Sequence, residues 1–394
     1  MTAPPPGDRP PGAVPGDAAA PPDGFPPPAA GFAVPPGGFP PAPGPGGFPP
    51  AAVPPGAHHP GAQPGPPVAY PPGAPHHPVP MAHPGRPPML PVEPRNYYRF
   101  YRTPALRWWR PLVGIVFFVG LGFVASLVFG AIGFGVDIAT GRTDFDALSP
   151  AELEVTPATF VANNLGLAAL IGIAILAQLI FFGQRPGWLA SVDGKLRWGW
   201  LARCFGAALV GYLLMYVVLG LLEPFPPFGN DPDFGLYLAF TLLTTPLQAA
   251  GEEYAFRGFL PRAIASWIPH RWVGMILAWV LCSMVFMTLH GAGDVWLNVY
   301  YFCFGMIMSI ATWLTGGLGV AIALHVVNNL VSLIVAFYAG EGGSLFERGA
   351  GTVNPVELVP NVVVLVVLSV VLVWWASRRG LRRESAPAAV AGRG

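Results

Sequence analysis

The segment QAAGEEYAFRGFL, residues 248–260, places two glutamates and an arginine at the end of an apolar run that begins near Phe234. A charge at bilayer depth costs roughly 2.5–3.5 kcal/mol, so charged side chains kept there are functional candidates. Glu253 and Arg257 are four residues apart and can pair on one helix face, whereas Glu252 points about 100° away. Glu252 is therefore a candidate proton acceptor. The alternative is an ordinary helix end in contact with water.

Two histidines lie in later apolar segments. His290 ends the sequence FMTLH, in which Phe286 is placed to share its helix face. His325 begins HVVNN, in which Asn328 and Asn329 follow at three and four residues. A histidine bonded at the membrane interface would explain the first motif, and a polar contact between packed helices would explain the second.

A carboxylate, two imidazoles and an amide in a water-poor pocket could together perform hydrolysis. Glu252 could take a proton from an attacking water, and histidine or asparagine N–H groups could stabilise the resulting oxyanion. Glu252, His290 and His325 could instead bind a divalent metal such as zinc and leave one position for water. The sequence contains no HExxH, GxSxG, Walker or GxGxxG motif.

Membrane helices must position these side chains. Only 10% of the 394 residues are charged, and the mean hydropathy is +0.51, which excludes an ordinary soluble domain. Apolar stretches of the roughly 20 residues that cross a hydrocarbon core predict an all-α polytopic bundle of about eight spans. The stretches lie near 111–136, 159–183, 199–222, 234–256, 272–290, 295–315, 318–338 and 359–377.

The depth of the candidate residues follows from the predicted turns. The fourth and fifth stretches form a hairpin with its turn near His270. Glu252 lies 18 residues before that turn and His290 lies 20 residues after it, so both are ~27–30 Å from it. His325 is only ~14 Å beyond the turn TGGLG. A common level therefore requires the fourth helix to project well beyond the membrane at the hairpin end.

Basic residues orient the bundle. If eight stretches alternate across the membrane, four basic clusters fall on one side: before the first stretch, after the second, after the fourth and after the last. The positive-inside rule then makes both termini cytoplasmic in a multi-pass protein of the cell membrane. The net charge of +1 argues against nucleic acid as a partner.

The regions that flank the bundle differ from it in composition. Residues 1–92 hold most of the 50 prolines and are predicted to be a disordered cytoplasmic tail that could bind a partner. Residues 93–380 form the membrane domain, with the polar motifs at 230–340. Residues 381–394 form a short cytoplasmic tail.

The three motifs together resemble those of a known family. EEYAFR at 252–257, FMTLH at 286–290 and HVVNN at 325–329 are similar to EExxxR, FxxxH and HxxxN of the CPBP family. That family comprises the type II CAAX prenyl endopeptidases, their bacterial relatives, and bacteriocin-processing or immunity proteins. The resemblance implies an intramembrane endopeptidase acting on a membrane-associated protein or peptide.

The resemblance also implies roles for individual residues. Glu252 would activate the hydrolytic water with support from His290. His325 and Asn329 would form the oxyanion site. Helical geometry alone does not distinguish Asn329 from Asn328, so this choice comes from the resemblance.

The remaining first-motif residues, Glu253 and Arg257, would mainly shape the site. The family is described both as metal-dependent and as metal-independent glutamate proteases, so the preferred mechanism needs no cofactor and zinc is the alternative. A non-enzymatic scaffold or immunity protein, or a proton-coupled transporter, could use the same polar cluster. Against transport, the polar residues cluster in the second half of the chain, and the first half holds no counterpart of them that an inverted repeat would require.

Overall fold

The computed structural model describes residues 87–143, 155–342, 349 and 353–385. The apolar stretches form helices because a backbone in a membrane must satisfy its hydrogen bonds internally. Short π-helical segments, Gln178–Phe182 and Tyr254–Phe259, continue the second and fifth helices. The helices are α1 (Trp109–Ala139), α2 (Pro157–Ala177), α3 (Gly187–Ala190), α4 (Trp198–Leu222), α5 (Phe234–Glu253), α6 (Leu260–Trp267), α7 (Arg271–Leu289), α8 (Val295–Thr315), α9 (Gly319–Tyr338) and α10 (Pro355–Arg378).

The predicted polytopic helical bundle is confirmed. Within the described residues, seven helices are long and apolar enough to cross a membrane: α1, α2 with its π segment, α4, α7, α8, α9 and α10. Their bounds lie within a few residues of those predicted. The fourth predicted span forms α5, which has 20 residues but is less apolar than the others, because it ends in the polar side chains of the candidate site.

Helix α5 nevertheless runs between the two ends of the bundle. At its start, the Phe234 ring lies 6.3 Å from that of Tyr338, the last residue of α9. The adjacent Gly229 N–H donates to the Tyr338 carbonyl at 2.9 Å. At the other end, the π segment Tyr254–Phe259 packs against α3 and α6. Helix α5 therefore connects the two ends of the bundle, and its predicted role as an eighth span stays a prediction.

Segments predicted to lie on one side of the membrane contact one another. Arg197 donates to the Thr315 carbonyl at the end of α8, and Ser385 N–H donates to the Arg95 carbonyl, which joins the two ends of the described chain. The loop that holds Pro269 is bound by the N-terminal segment. The arginine-rich segments thus share one end of the bundle, called the basic end below.

Helix α9 occupies the middle of the bundle. It packs against α4, α5, α8 and α10, and every residue from 319 to 328 is buried. Around it, α1 packs on α2, α2 on α5, and α7 on both α6 and α8. Polar residues placed on the first half of α9 are therefore forced against neighbouring helices rather than lipid.

Gly251 permits the closest of these contacts. A Cβ atom at this position would lie 2.1 Å from the Leu167 carbonyl oxygen of α2. Only glycine allows the two backbones to approach so closely. This contact sets the position of the end of α5, where the two glutamates follow.

The segment before α1 is built into the bundle. Tyr97, Tyr98 and Phe100 are fully buried, and burial raises the pKa of Tyr97, so its hydroxyl stays protonated and donates to the Leu189 carbonyl at 2.6 Å. Within residues 87–92, predicted as the end of the tail, Leu90 and Pro91 are buried here, whereas Val92 is exposed. The rest of that predicted tail, residues 1–86, and residues 386–394 lie outside the described residues.

Arg99 caps the basic end of α6. Its guanidinium donates to the carbonyls of Ala265, Ile268 and Pro269 at 2.8–2.9 Å, which the helix end would otherwise leave unpaired. We expect Arg99→Met to lower the free energy of unfolding by about 3 kcal/mol, because several charge-assisted hydrogen bonds are lost. Denaturant titration in detergent micelles measures this.

Arg102→Met is the matched comparison for this prediction. Arg102 makes one such bond, to the Ser266 carbonyl at 3.0 Å. Its substitution should lower the free energy of unfolding clearly less than Arg99→Met does. Equal effects of the two variants would contradict a capping role for Arg99.

Candidate active site

The predicted ion pair between Glu253 and Arg257 is confirmed, and it binds a third residue. Glu253 Oε1 accepts hydrogen bonds from Arg257 Nη1 at 2.9 Å and from His325 Nδ1 at 2.7 Å. The three residues are 0%, 1% and 2% exposed. The end of α5 and the middle of α9 therefore meet through one carboxylate, at the common level that the sequence argument required.

The second glutamate faces the other nitrogen of the same imidazole. Glu252 Oε2 lies 3.3 Å from His325 Nε2, and Glu252 is 7% exposed. Because Nδ1 gives its proton to Glu253, a neutral imidazole would turn a lone pair toward the Glu252 carboxylate. This contact is favourable only when one of the two facing groups carries a proton.

Such a proton would also balance the charge of the cluster. Two carboxylates and one guanidinium leave one negative charge, which a proton on the Glu252–His325 pair cancels. Burial strongly favours neutral assemblies over uncompensated charges. A cluster that holds one mobile proton between a carboxylate and an imidazole is suited to proton transfer.

Aromatic rings enclose the charged groups. The Arg257 guanidinium carbon lies 4.5 Å from the Phe286 ring centroid and 5.8 Å from that of Phe304. The Phe304 ring is 4.9 Å from the His325 ring. These rings stabilise the cation and keep the local dielectric low, which strengthens each electrostatic contact.

A chain of amides leads to Glu252 from the opposite direction. Asn328 Nδ2 donates to Asn329 Oδ1 at 3.0 Å, and Asn329 Nδ2 donates to Gln248 Oε1 at 3.2 Å. Gln248, one turn before Glu252, lies within hydrogen-bonding reach of its carboxylate. The Asn329 amide is thus oriented: one of its two N–H groups donates to Gln248, and the second can donate to another acceptor.

Two tyrosines fix the far end of this chain. Asn328 Oδ1 accepts from Tyr212 Oη at 3.0 Å and from Tyr300 Oη at 3.1 Å. Since both hydroxyls are donors, the orientation of the Asn328 amide is determined. The two asparagines therefore differ in role: Asn328 anchors the chain and Asn329 extends it toward Glu252.

His290 directly follows the last residue of α7 and lies beside aromatic rings. Its predicted pairing with Glu252 stays a prediction, and the structure in addition places His325 against both glutamates. Helix α9 packs directly on α5, and α7 packs on α6, on α8 and on the π segment that follows Glu253. The His290 ring lies 4.0 Å from that of Tyr301 and 4.4 Å from that of Phe286.

Phe286 nevertheless links the two histidines, because its ring also lies 6.0 Å from that of His325. His290 Nδ1 is 2.7 Å from the Phe286 carbonyl. A carbonyl only accepts, so Nδ1 carries the proton, and the Nε2 atom of the neutral ring is an acceptor.

Metal binding is the alternative chemistry for this cluster. Among the described residues, no group of three or more His, Cys, Asp or Glu side chains is arranged to hold an ion. Glu253 is committed to a guanidinium and an imidazole. The alternative in which Glu252, His290 and His325 bind zinc stays a prediction.

Sequence reasoning missed the residues that orient the site. Gln248 carried a signal, since it lies four residues before Glu252 on the same helix face. Tyr212 and Tyr300 carried none, because their partner lies on a different helix. The π-helical turn Tyr254–Phe259 directly after the glutamates was also not predicted, although such turns are frequent at functional sites.

Comparison with known proteins assigns this part of the chain. Residues 234–331 match the family model "Type II CAAX prenyl endopeptidase Rce1-like". The segment that carries the polar cluster is Rce1-like. It contains all six of the predicted site residues, from Glu252 to Asn329, and the resemblance inferred from the three motifs is confirmed.

A curated relative extends the similarity beyond this segment. The uncharacterized protein YyaK of Bacillus subtilis (strain 168) is 24% identical over 241 residues, which are 56% of this chain and 76% of that protein. No solved structure gives a significant match. The Rce1-like match supports an intramembrane protease of the CAAX type, and the seven apolar helices make the chain a multi-pass membrane protein.

Proposed function

We propose that this chain is an endopeptidase that hydrolyses a peptide bond of a membrane-associated protein or peptide. The observation that carries the proposal is the buried Glu252 carboxylate, which lies 3.3 Å from His325 Nε2 and beside an oriented amide chain. A base, an N–H donor and a second amide donor at one place are the groups that peptide hydrolysis needs.

The proposed reaction begins with water activation. Glu252 accepts a proton from the water, whose oxygen forms a bond to the scissile carbonyl carbon while the carbonyl π electrons move to its oxygen. His290 supports this step, as the family resemblance implies. When the C–N bond breaks, Glu252 returns the proton to the departing amine, so the carboxylate is regenerated.

The oxyanion is stabilised from the α9 side. His325 Nε2–H and the uncommitted N–H of Asn329 Nδ2 donate to it. Glu253 accepts from His325 Nδ1 and holds the ring with Nε2 directed at the reaction, and Arg257 keeps Glu253 ionised. The proposed mechanism uses no metal ion.

The proposal places the site within the membrane near the basic end. That end faces the cytoplasm by the positive-inside rule, and both termini are then cytoplasmic in a protein of the cell membrane. The Pro-rich tail, residues 1–92, would then lie in the cytoplasm and could bind partners there.

Comparative proteomics of membranes tests the function and reveals substrates together. Cells that produce the wild-type chain are compared with cells that produce Glu252→Gln, and with cells that produce Glu223→Gln, which alters an exposed glutamate at the end of α4. We expect shortened membrane-associated proteins in the wild-type and Glu223→Gln samples and their intact forms in the Glu252→Gln sample. Identical protein termini in all three would favour a scaffold or a transporter.

A further inference from the structure

A cavity at the basic end lies apart from the proposed active site. Its volume is about 430 Å³, and it is lined by Asn96, Trp313, Leu314, Arg382, Arg383 and Glu384. Three separate parts of the chain meet there: the segment before α1, the end of α8 and the segment after α10. The proposed peptidase reaction uses none of these residues.

The walls of this cavity are held by the backbone. Asn96 and Glu384 form an antiparallel β-bridge, and Arg197 Nη2 donates to the Arg382 carbonyl at 2.9 Å. At Gly316, a Cβ atom would lie 2.3 Å from that same carbonyl oxygen. The C-terminal segment is therefore fixed in place without help from the Arg382 and Arg383 side chains.

Those two guanidinium groups are available to a ligand. The Arg382 side chain is 59% exposed and lies 3.8 Å from Asp193, too far for a strong ion pair. Arg383 is also exposed. Adjacent guanidinium groups suit a phosphate group, which can accept paired N–H bonds. Glu384 opposes an anion, but its carboxylate and the Asn96 amide can accept from hydroxyls next to such a phosphate.

The cavity lies beside arginine–tryptophan pairs that are typical of the membrane–water interface. Arginines stack on tryptophans at three places around this end: Arg271 on Trp272, Arg378 on Trp374, and Arg379 on Trp375, with guanidinium-to-ring distances of 5.0–5.4 Å. The Trp272 ring contacts that of Trp313 in the cavity wall at 5.3 Å. Tryptophan and arginine collect at the headgroup layer of a bilayer on the positive side.

We propose that this cavity binds the headgroup of an anionic phospholipid. The arginines contact the phosphate, Asn96 and Glu384 contact headgroup hydroxyls, and Trp313 with Leu314 contacts the glycerol and first acyl carbons. Basic pockets beside membrane helices are suited to such headgroups, and the cavity volume is in the range of small-molecule sites. The lipid would clamp the N-terminal and C-terminal segments of the bundle together.

Thermal unfolding of the delipidated full-length protein in detergent micelles tests this. We expect added phosphatidylglycerol to raise the unfolding midpoint, and phosphatidylcholine or inorganic phosphate to leave it unchanged. In Arg382→Gln/Arg383→Gln, the half-saturating concentration of phosphatidylglycerol should rise about 30-fold, the effect of removing two interfacial arginines. Arg383→Gln alone should give a smaller rise in the same direction.

The control variant is Arg107→Gln/Arg185→Gln, which removes two exposed arginines from the same end but outside the cavity. It should respond to phosphatidylglycerol like the wild type. Equal weakening in both double variants would mean that general surface charge, not the cavity, binds the lipid. An equal rise with phosphatidylcholine, or with inorganic phosphate alone, would overturn the proposal of an anionic lipid site.

Discussion

Glu252→Gln is expected to lower kcat for peptide hydrolysis about 100-fold to 10,000-fold, the range that a positioned general base contributes. The amide keeps the size of the carboxyl group but cannot accept the proton of the attacking water. Because Glu252 Oε2 lies 3.3 Å from His325 Nε2, the substitution also removes the negative charge that faces the imidazole. The measurement is the turnover, in proteoliposomes, of a substrate peptide identified by the proteomic comparison.

The control separates lost chemistry from lost structure. Glu223→Gln alters an exposed glutamate and should retain wild-type turnover. Glu252→Gln should keep a wild-type elution volume and unfolding midpoint, since it leaves the bonds between Glu253, Arg257 and His325 in place. Full turnover in a folded Glu252→Gln protein would remove Glu252 from the mechanism.

The long helices were predictable because each one is formed by an apolar run of consecutive residues. Such a run of about 20 residues has one stable structure in a bilayer, so the seven long apolar helices of the described chain follow from local composition. The ion pair between Glu253 and Arg257 was predictable for the same reason, since both partners lie on one helix at a spacing of four. Polarity alone made α5 the weakest span, and the same polarity marked it as the helix of the site.

Contacts between helices were less accessible to sequence reasoning. The contact of His325 with both glutamates depends on which helices pack side by side, and the residues of α9 alone do not determine that packing. The approach of α2 to α5 at Gly251 and the central position of α9 bring α5 and α9 together. The distinct roles of Asn328 and Asn329 were hidden likewise, because they depend on Tyr212 of α4 and Gln248 of α5.

Removing the buried cation of the cluster is expected to have the largest effect on stability. Arg257→Met should lower the free energy of unfolding by about 3–5 kcal/mol, because Glu253 would be left as a buried charge with only an imidazole partner. Glu253→Gln should also destabilise the fold, because Arg257 would be left as a buried cation without its carboxylate partner. Unfolding of each variant by titration with a denaturing detergent gives the free energies.

The double variant Arg257→Met/Glu253→Gln decides between electrostatics and packing. If the buried charges dominate, the double variant should be more stable than the sum of the single effects predicts, by about 1–3 kcal/mol. Additive losses would mean that Arg257 acts mainly through its packing on Phe286 and Phe304. The exposed pair of Arg142 and Asp233 provides the matched cycle, in which solvent screening should leave little coupling. Strong coupling in the buried pair alone would show that the charges which hold His325 in place also hold α5 against the rest of the bundle.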